Sequence, residues 1–304
     1  MGPILFNLFI NDMLFYIKSA DPFNFADDNN LSASASSESE LIDKLEKGAD
    51  EAVDWLTAND MIANPDKFKA IMLKSNKADL SGRIIKIKEK IIKSENEVES
   101  LGMIIDDKLS YKKYISNICK SAAGKLNALK RIKMFLTDDA RLYYVNTYVR
   151  SSFNYCSIVW HYCGLVEIHK MEKINQRALR FIYDDYKTEY KQILTNQNEK
   201  TLYQKRVIAT CSEIYKTRNN LNPAYMHDIF AQRPSNYPTR KPSDMFIPEG
   251  NRKTLGINSM RIEGSKLWNL LPESIKVSPS LTIFKQRIKK HSLPYCKCNR
   301  NCLA

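Results

Sequence analysis

Apolar and polar positions follow two different periods along the chain, and the period changes near residue 108. Before that point, short apolar runs of strand length are separated by turn residues and by one long helical repeat. After it, apolar residues recur every three or four positions to about residue 183, which is typical of buried helix faces. The pattern predicts an α+β fold, with a small antiparallel sheet and its helices over residues 1–107 and a mainly helical region beyond.

The clearest turn of the first part lies between two short apolar runs near residue 27. Pro22 and the pair Asn29-Asn30 bound these runs, so we expect a β-hairpin with Asp27 and Asp28 at its turn. A turn exposes both carboxylates to solvent, where a hard divalent cation such as Mg²⁺ can reach them. The alternative is a chance pairing of two acids in a surface turn.

Two helices and a strand surround this hairpin in the sequence. Residues 4–17 are apolar at most positions and predict a buried helix. Residues 36–40, Ser-Ser-Glu-Ser-Glu, offer N-cap chemistry for a long amphipathic helix with Trp55 on its core side, and Pro65 ends the helical repeat. Residues 68–73 then predict a strand.

Further strands are expected near the end of the first part. Alternating apolar residues over positions 85–105 predict two or three of them, which would complete the antiparallel sheet. Leu101 and Gly102 interrupt the last alternation. A simple β-bulge would explain this interruption, and the family resemblance given below implies a hairpin turn at the same place instead.

The first helix of the second part has one apolar face and one basic face. The basic face contains no acidic residue, and like charges on one helix repel each other. We therefore expect a polyanion to bind there through charge alone, independently of base sequence and with a steep salt dependence. The expected contacts are Lys112, Lys113, Lys120, Lys125, Lys130 and Arg131. A later helix, over residues 168–183, carries a second basic row to which we assign no chemistry: Lys170, Lys173, Arg177 and Arg180.

Residues 184–304 predict a helical extension with a proline-rich linker near residues 222–250. Residues 202–215 predict an amphipathic helix and residues 281–291 a last helix, with Trp268 as an expected core residue.

The C-terminal tail has zinc-ligand residue types at unsuitable spacing. One residue separates Cys296 from Cys298, whereas zinc sites have about two to four, and neither Cys302 nor His291 improves the pattern. We expect a disordered basic tail here and no zinc site.

The amino-acid composition restricts the classes of binding partner and the cellular compartment that we expect for this protein. The 304 residues carry a formal net charge of +13 and a pI near 9.3, and such a surface attracts nucleic acid or acidic membrane. No apolar run approaches the ~20 residues of a membrane span, so we expect no membrane partner. An odd total of seven cysteines and the lack of a signal-peptide pattern indicate a reducing intracellular compartment, the cytoplasm or the nucleus.

Four segments resemble motifs of reverse transcriptases, in the order found in that family. The string Phe-Ala-Asp-Asp at residues 25–28 is similar to their (Tyr/Phe)-Ala-Asp-Asp motif. Residues 2–12 resemble the helix after the template-binding glycine motif, residues 45–72 the helix and strand of the next motif, and residues 98–106 the primer-gripping hairpin. The chain resembles the C-terminal part of a non-LTR retrotransposon reverse transcriptase of the jockey or chicken-repeat-1 kind, more weakly as far as residue 295.

This resemblance implies a domain organisation and an activity. Residues 1–107 would form part of the polymerase palm, residues 108–183 a helical thumb that holds the template–primer duplex, and residues 184–304 an extension. The family copies an RNA template by extending a DNA primer, with Mg²⁺ at the aspartates, here Asp27 and Asp28.

The resemblance also implies roles for single residues. Lys67 would protonate the leaving pyrophosphate, although a solvated strand-edge lysine is the alternative. Gly2, Leu101 and Gly102 would lie against the nucleic acid. The partners implied are an RNA template and a DNA primer, and no protein partner is indicated.

The family pattern further implies a metal-binding aspartate and a fingers region upstream of Gly2, which this sequence does not contain. We expect an incomplete metal site and a chain that is inactive alone, because a missing carboxylate removes charge stabilisation from the transition state of two-metal catalysis. A function of a different class remains open, that of a non-catalytic nucleic-acid-binding protein derived from such an element.

Overall fold

The change of hydrophobic period near residue 108 coincides with a division of the structure. The computed structural model describes residues 1–73, 80–230, 244–245 and 259–297. It is an α+β structure with two compact units, Met1–Lys108 and Leu109–Ala304. The division lies one residue beyond the boundary that we predicted, and the residues after 183 belong to the same unit as the helices before them.

The first unit combines three helices with seven short strands. The helices are α1 (Gly2–Ile10), α2 (Met13–Tyr16) and α3 (Glu38–Ala58). The strands are β1 (Asp21–Phe25), β2 (Asp28–Ser32), β3 (Ala70–Ile71), β4 (Ile84–Ile87), β5 (Lys90–Glu95), β6 (Glu97–Ser100) and β7 (Met103–Asp106). A 3-10 turn, Pro65–Lys67, precedes β3.

These strands do not join into the single antiparallel sheet that we predicted. They form three small sheets, β1–β2, β3–β5–β4 and β6–β7, and β3 pairs with β5 in parallel. The strand expected over residues 68–73 is only two residues long. The hairpins β1–β2 and β6–β7 each pair only with their sequence neighbour and so remain separate two-stranded sheets.

Helix α3 organises the packing of the first unit. Its N-cap is Ser37, one of the residues 36–40 in which we predicted a cap, and the Ser37 hydroxyl accepts a hydrogen bond from the Glu40 amide (3.3 Å). One side of α3 packs Trp55, which is 4 % exposed, against Met13 and the end of α1. Another side places Val53 against the β4–β5 core.

The prediction of a buried helix over residues 4–17 was wrong. The segment forms α1 and α2, and only Ile10, Met13 and Ile17 are buried, against α3. Phe6 and Leu14 are half-buried. Six further apolar side chains of α1 and α2 lie 47–71 % exposed, because the described elements of the first unit cover one side of these helices only: Ile4, Leu5, Leu8, Phe9, Phe15 and Tyr16.

The regular secondary structure of the second unit is helical in its described residues, apart from an isolated β-bridge residue, Met245. Its α-helices are α4 (Lys112–Arg131), α5 (Asp138–Tyr144), α6 (Leu165–Tyr183), α7 (Tyr190–Asn196), α8 (Leu202–Arg218), α9 (Ser265–Asn269), α10 (Glu273–Lys276) and α11 (Leu281–Lys290). Short 3-10 and π turns connect them, at Lys133–Phe135, Val145–Val149, Arg150–Phe153, Trp160–Tyr162, Ala224–Ile229 and Met260–Gly264.

Helix α8 is the centre of this unit, and our prediction that it is amphipathic was wrong. It is buried on all sides, including its polar residues Arg206, Thr210 and Ser212, because α6, α9, α11 and the turn before α9 all pack around it. Trp268 on α9 is fully buried, as predicted, and its ring stacks on Phe284 of α11 at 5.8 Å.

The tail that we expected to be disordered is ordered as far as residue 297. The Thr201 hydroxyl donates to the Tyr295 carbonyl (3.0 Å), and the Gln204 side chain donates to the Leu293 carbonyl (2.8 Å). Residues 298–304 and most of the predicted linker, 231–243 and 246–250, lie outside the described residues. None of the helices in the described ranges has the length and apolarity to cross a membrane.

Candidate nucleic-acid interface and metal-binding turn

The predicted hairpin around Asp27 and Asp28 is present. Strands β1 and β2 pair antiparallel from Asp21–Ser32 to Phe25–Asp28, so Ala26 and Asp27 form a two-residue turn and Asp28 begins β2. Ala26 has φ +52°, a left-handed conformation that tight hairpin turns require. Both carboxylates are exposed, as their proposed use as cation ligands requires.

The turn offers oxygen ligands of the kind that Mg²⁺ prefers, but it offers only two carboxylates, Asp27 and Asp28. In the ranges that the structure describes, no group of three or more histidine, cysteine or acidic side chains is placed to hold a metal ion. The residues therefore fit a part of a magnesium site, with water or further ligands completing the shell.

The second hairpin is also present, and its centre is a turn. Ser100 pairs with Met103, so Leu101 and Gly102 are the two central residues, with φ +49° and φ +72°. The regular pairing of β6 with β7 excludes the β-bulge that was the alternative. Gly102 is needed for its backbone angle, since a Cβ there would meet nothing within 4 Å.

The remaining predicted palm residues are not assembled around the aspartates. Gly2 begins α1, and Lys67 ends an exposed 3-10 turn. In the described part of the first unit, no hydrogen bond or ion pair connects Lys67 with Asp27 or Asp28. The proposed proton transfer by Lys67 therefore has no geometric support beyond its exposure.

Helices α4 and α6 of the second unit pack side by side and run in the same direction. The Arg177 guanidinium donates to the Asn127 side chain at 3.2 Å. About two turns earlier on each helix, Lys170 lies within electrostatic range of Cys119. Beyond the helix ends, Lys133 forms an ion pair with Asp184. Parallel packing places the exposed faces of the two helices next to each other.

The basic strip is the name that we give to six cations on these adjacent faces. They are Lys120, Lys130 and Arg131 of α4 and Lys170, Lys173 and Arg177 of α6. Five of them are exposed and Lys130 is half-buried, and none forms an ion pair within the described residues. In that part of the chain, the strip is thus a continuous positive surface without internal compensation.

Lys130 shows how closely the charges of the strip approach one another. Partial burial lowers its pKa from the usual lysine range, and the positive charges of Arg177 and Lys133 lower the pKa further. A neighbouring anion would have the opposite effect on this pKa. The protein therefore holds like charges together across the α4–α6 contact.

The other predicted lysines of α4 lie apart from the strip. Lys112 and Lys113 are exposed in the first turn of the helix. Lys125 faces a different neighbour, since its ammonium donates to the Ser152 hydroxyl (2.9 Å) and lies 5.1 Å from the centre of the Tyr148 ring. The sequence therefore predicted the basic helix but not which of its lysines act together.

The contribution of α6 was missed at the sequence level. The row Lys170, Lys173 and Arg177 was visible, but nothing in the sequence indicated that it would lie beside α4. The parallel packing of two helices separated by more than thirty residues is a tertiary feature, about which helical periodicity carries no information.

Cysteine and histidine chemistry is not a feature of this interface. Burial raises the pKa of Cys163 to about 11 and that of Cys211 to about 12, so both thiols stay protonated and unreactive near neutral pH. Cys296 is buried, with its Sγ 3.7 Å from His169 Nε2, and the expected partners Cys298 and Cys302 lie outside the described residues.

The geometry thus offers two features with chemistry, an exposed pair of carboxylates on the first unit and the basic strip on the second. Comparison of the chain with protein-family models, with curated proteins and with solved structures found no match.

Proposed function

We propose that the chain binds the phosphate backbone of double-stranded nucleic acid through the basic strip, as the duplex-holding part of a non-LTR-type RNA-directed DNA polymerase. The observation that carries this proposal is the group of six cations on α4 and α6 without an ion-pair partner among the described residues. The reverse-transcriptase assignment rests on the motif resemblance alone.

Electrostatics favours a polyanion over a merely solvated surface. Like charges held at one helix contact cost stability, and after burial, the larger cause, the charges of Arg177 and Lys133 also lower the pKa of Lys130. Phosphates that lie along the strip would offset this repulsion. Each neutralised phosphate would also release condensed counterions, which favours binding further. Binding therefore compensates an unfavourable feature of the free protein.

The dimensions of the strip suit a duplex backbone. Lys120 and Arg131 are eleven residues apart, which is about 16 Å along a helix that rises 1.5 Å per residue. Each strand of a duplex has one phosphate per about 3.4 Å of helix axis, so the strip matches the axial rise of about five phosphates of one strand. Such contacts position a duplex without reading its bases.

The proposal is tested by the affinity of the full chain for RNA–DNA hybrid duplexes of two unrelated sequences, at about 150 mM salt. We expect equal affinity for both sequences and a reduction of at least about tenfold when Lys120, Arg131 and Lys170 are replaced by Gln. The matched control replaces Lys285, Lys289 and Lys290 of α11, which are exposed on the same unit, with the same change of net charge.

Two results would contradict the proposal. One is a clear preference for one of the two duplexes, because phosphate contacts carry no sequence information. The other is an equal reduction in the α11 control, which would mean that overall charge rather than the strip determines affinity.

The exposed turn supports a second candidate role, as part of the metal site of such a polymerase. Asp27 and Asp28 would supply two carboxylate ligands to Mg²⁺, and the bound ion would neutralise negative charge that develops on the reacting phosphate. Two carboxylates are only part of the ligand set that two-metal catalysis uses. We therefore infer that the chain alone does not extend a primer.

A primer-extension assay with a homopolymer template, in Mg²⁺ and then in Mn²⁺, tests this inference. We expect no extension by the full chain beyond that of an Asp27→Asn variant. Extension by the unmodified chain that disappears in Asp27→Asn would show a working polymerase site and would overturn the inference.

A further inference from the structure

Three tyrosines are exposed within six residues of the second unit. Tyr143, Tyr144 and Tyr148 are 65 %, 44 % and 53 % exposed. Single exposed aromatic residues are common on protein surfaces, but several close together mark an interaction surface. We call these three residues the tyrosine platform.

The backbone under the platform is irregular. Helix α5 ends at Tyr144 and continues as a π turn, Val145–Val149, which carries Tyr148. Such turns widen a helix at some cost and occur frequently at functional sites. The rings of Tyr143 and Tyr144 lie edge to face with their centres 5.6 Å apart, so this contact covers at most one face of one ring.

A cation accompanies the platform. The Lys125 ammonium lies 5.1 Å from the centre of the Tyr148 ring and donates to the Ser152 hydroxyl at 2.9 Å. At 100° per residue, Lys125 lies about 140° around α4 from Lys130, so it stands apart from the α6 side of the basic strip. The platform therefore has its own positive charge.

Exposed aromatic rings combined with a cation match one chemistry particularly well. Bases of single-stranded nucleic acid stack on aromatic side chains while the backbone phosphates meet lysine or arginine. Bases in a duplex are stacked on each other and cannot do so. A protein partner would not need the lysine, and the net positive charge of the chain favours an anionic ligand.

We propose that the tyrosine platform binds the bases of a single-stranded nucleic-acid segment, with Lys125 at a phosphate. This inference rests on the proposed function and names its substrate class, a duplex with a single-stranded extension. The duplex occupies the basic strip, and the unpaired strand reaches the platform across the exposed face of α4.

The test distinguishes the contribution of the bases to binding from that of the phosphates. The full chain is titrated with a fluorescent single-stranded (dT)12 and with an abasic strand of the same length, which keeps the phosphates but has no bases. We expect (dT)12 to bind about tenfold tighter or more, since stacking of a base on an aromatic side chain is worth about that factor.

Variants of one tyrosine identify the site. Tyr148→Leu should lower the affinity for (dT)12 about tenfold and leave the abasic strand unchanged, whereas Tyr148→Phe, which keeps the ring, should bind (dT)12 as the unmodified chain does. Tyr186 provides the matched control, because it is 51 % exposed on the same unit and also lies near a lysine, Lys133, at 5.5 Å. Tyr186→Leu should change neither affinity.

Three results overturn the inference. Equal binding of (dT)12 and the abasic strand, with duplex binding intact, overturns the platform but leaves the proposed function standing. An equal effect of Tyr148→Leu and Tyr186→Leu overturns the location. Failure to bind either strand or any duplex overturns both the platform and the proposed function. Circular dichroism of each variant verifies that these exposed substitutions leave the fold intact.

Discussion

Single residues of the second unit show how strongly burial controls charge in this protein. His161 is 2 % exposed, its ring stacks on Tyr203 with centres 5.4 Å apart, and its Nδ1 has no hydrogen-bond partner in the described residues. Burial, and then the positive charges of Arg206 and Lys297, lower its pKa to about 3. The imidazole is therefore neutral at any physiological pH and serves packing.

The first prediction is that His161 lowers the stability of the folded protein at acidic pH. The unfolded chain protonates this histidine near pH 6.5, whereas the folded chain does not until about pH 3, so stability falls as the pH drops between those values. We expect His161→Phe, which keeps an aromatic ring, to remove about 1.4 kcal/mol of this destabilisation per pH unit in that window.

Urea unfolding at pH 7 and pH 4.5 measures the effect, with His291→Phe, at a half-buried position, as the control. The free energy of unfolding of His161→Phe should fall less on acidification than that of the unmodified chain, and His291→Phe should follow the unmodified chain. Identical pH dependence of all three proteins would contradict the assignment of a neutral buried imidazole.

At the scale of the elements, the two hairpins of the first unit depend on left-handed turn residues. Leu101 has φ +49° in a two-residue turn, although a side chain in this region costs about 1–2 kcal/mol and leucine is poorly suited to it. The residue is 41 % exposed, so little burial offsets the strain. The turn is thus a place where sequence and local structure disagree.

The second prediction concerns the stability of the first unit after substitutions at this turn. Leu101→Asn creates the Asn-Gly pair that such turns favour, and we expect it to stabilise the first unit by about 0.5–1 kcal/mol. Gly102→Ala, at φ +72°, should destabilise it. Unfolding of the first unit in urea can be measured by fluorine NMR of protein labelled with 5-fluorotryptophan, because Trp55 is the one tryptophan of that unit. A Leu101→Asn variant that is no more stable than the unmodified chain would show that the strain is absent.

Elements whose signals are local were predictable from the sequence, and those that depend on packing were not. A cap within residues 36–40, the hairpin turn near Asp27 and the basic helix α4 follow from neighbouring residues, whereas the turn at Leu101 and Gly102 was implied by the family resemblance. Helix α8 looked amphipathic, but it is buried all round because polar residues such as Arg206 and Thr210 lie inside the unit. Periodicity shows which positions are apolar, not how many neighbours will pack around a helix.

The same limit applied to the candidate site. Lys120, Lys130 and Arg131 could be selected from α4, but their partners on α6 required the parallel packing of two distant helices. Lys125 was grouped with the strip because it belongs to the same basic row, and its contact with Tyr148 became visible only in three dimensions. The tyrosine platform had no signal in the sequence beyond a high local frequency of tyrosine.

At the scale of the whole molecule, the two units differ in what they offer. The first unit presents two carboxylates on an exposed turn and apolar side chains of α1 and α2. The second presents the positive charge of the basic strip and exposed aromatic rings near α4. A net charge of +13 adds general attraction for polyanions, so a convincing test must separate the local strip from overall charge.

The salt dependence of duplex binding makes that separation most directly. We expect the slope of log Kobs against log salt to be steep for the unmodified chain. Replacing Lys120, Arg131 and Lys170 by Gln should decrease its magnitude by about 0.9 for each phosphate that the variant no longer neutralises. The triple replacement of Lys285, Lys289 and Lys290 should leave the slope unchanged. A slope that is the same in all three proteins would contradict the basic strip as the nucleic-acid interface.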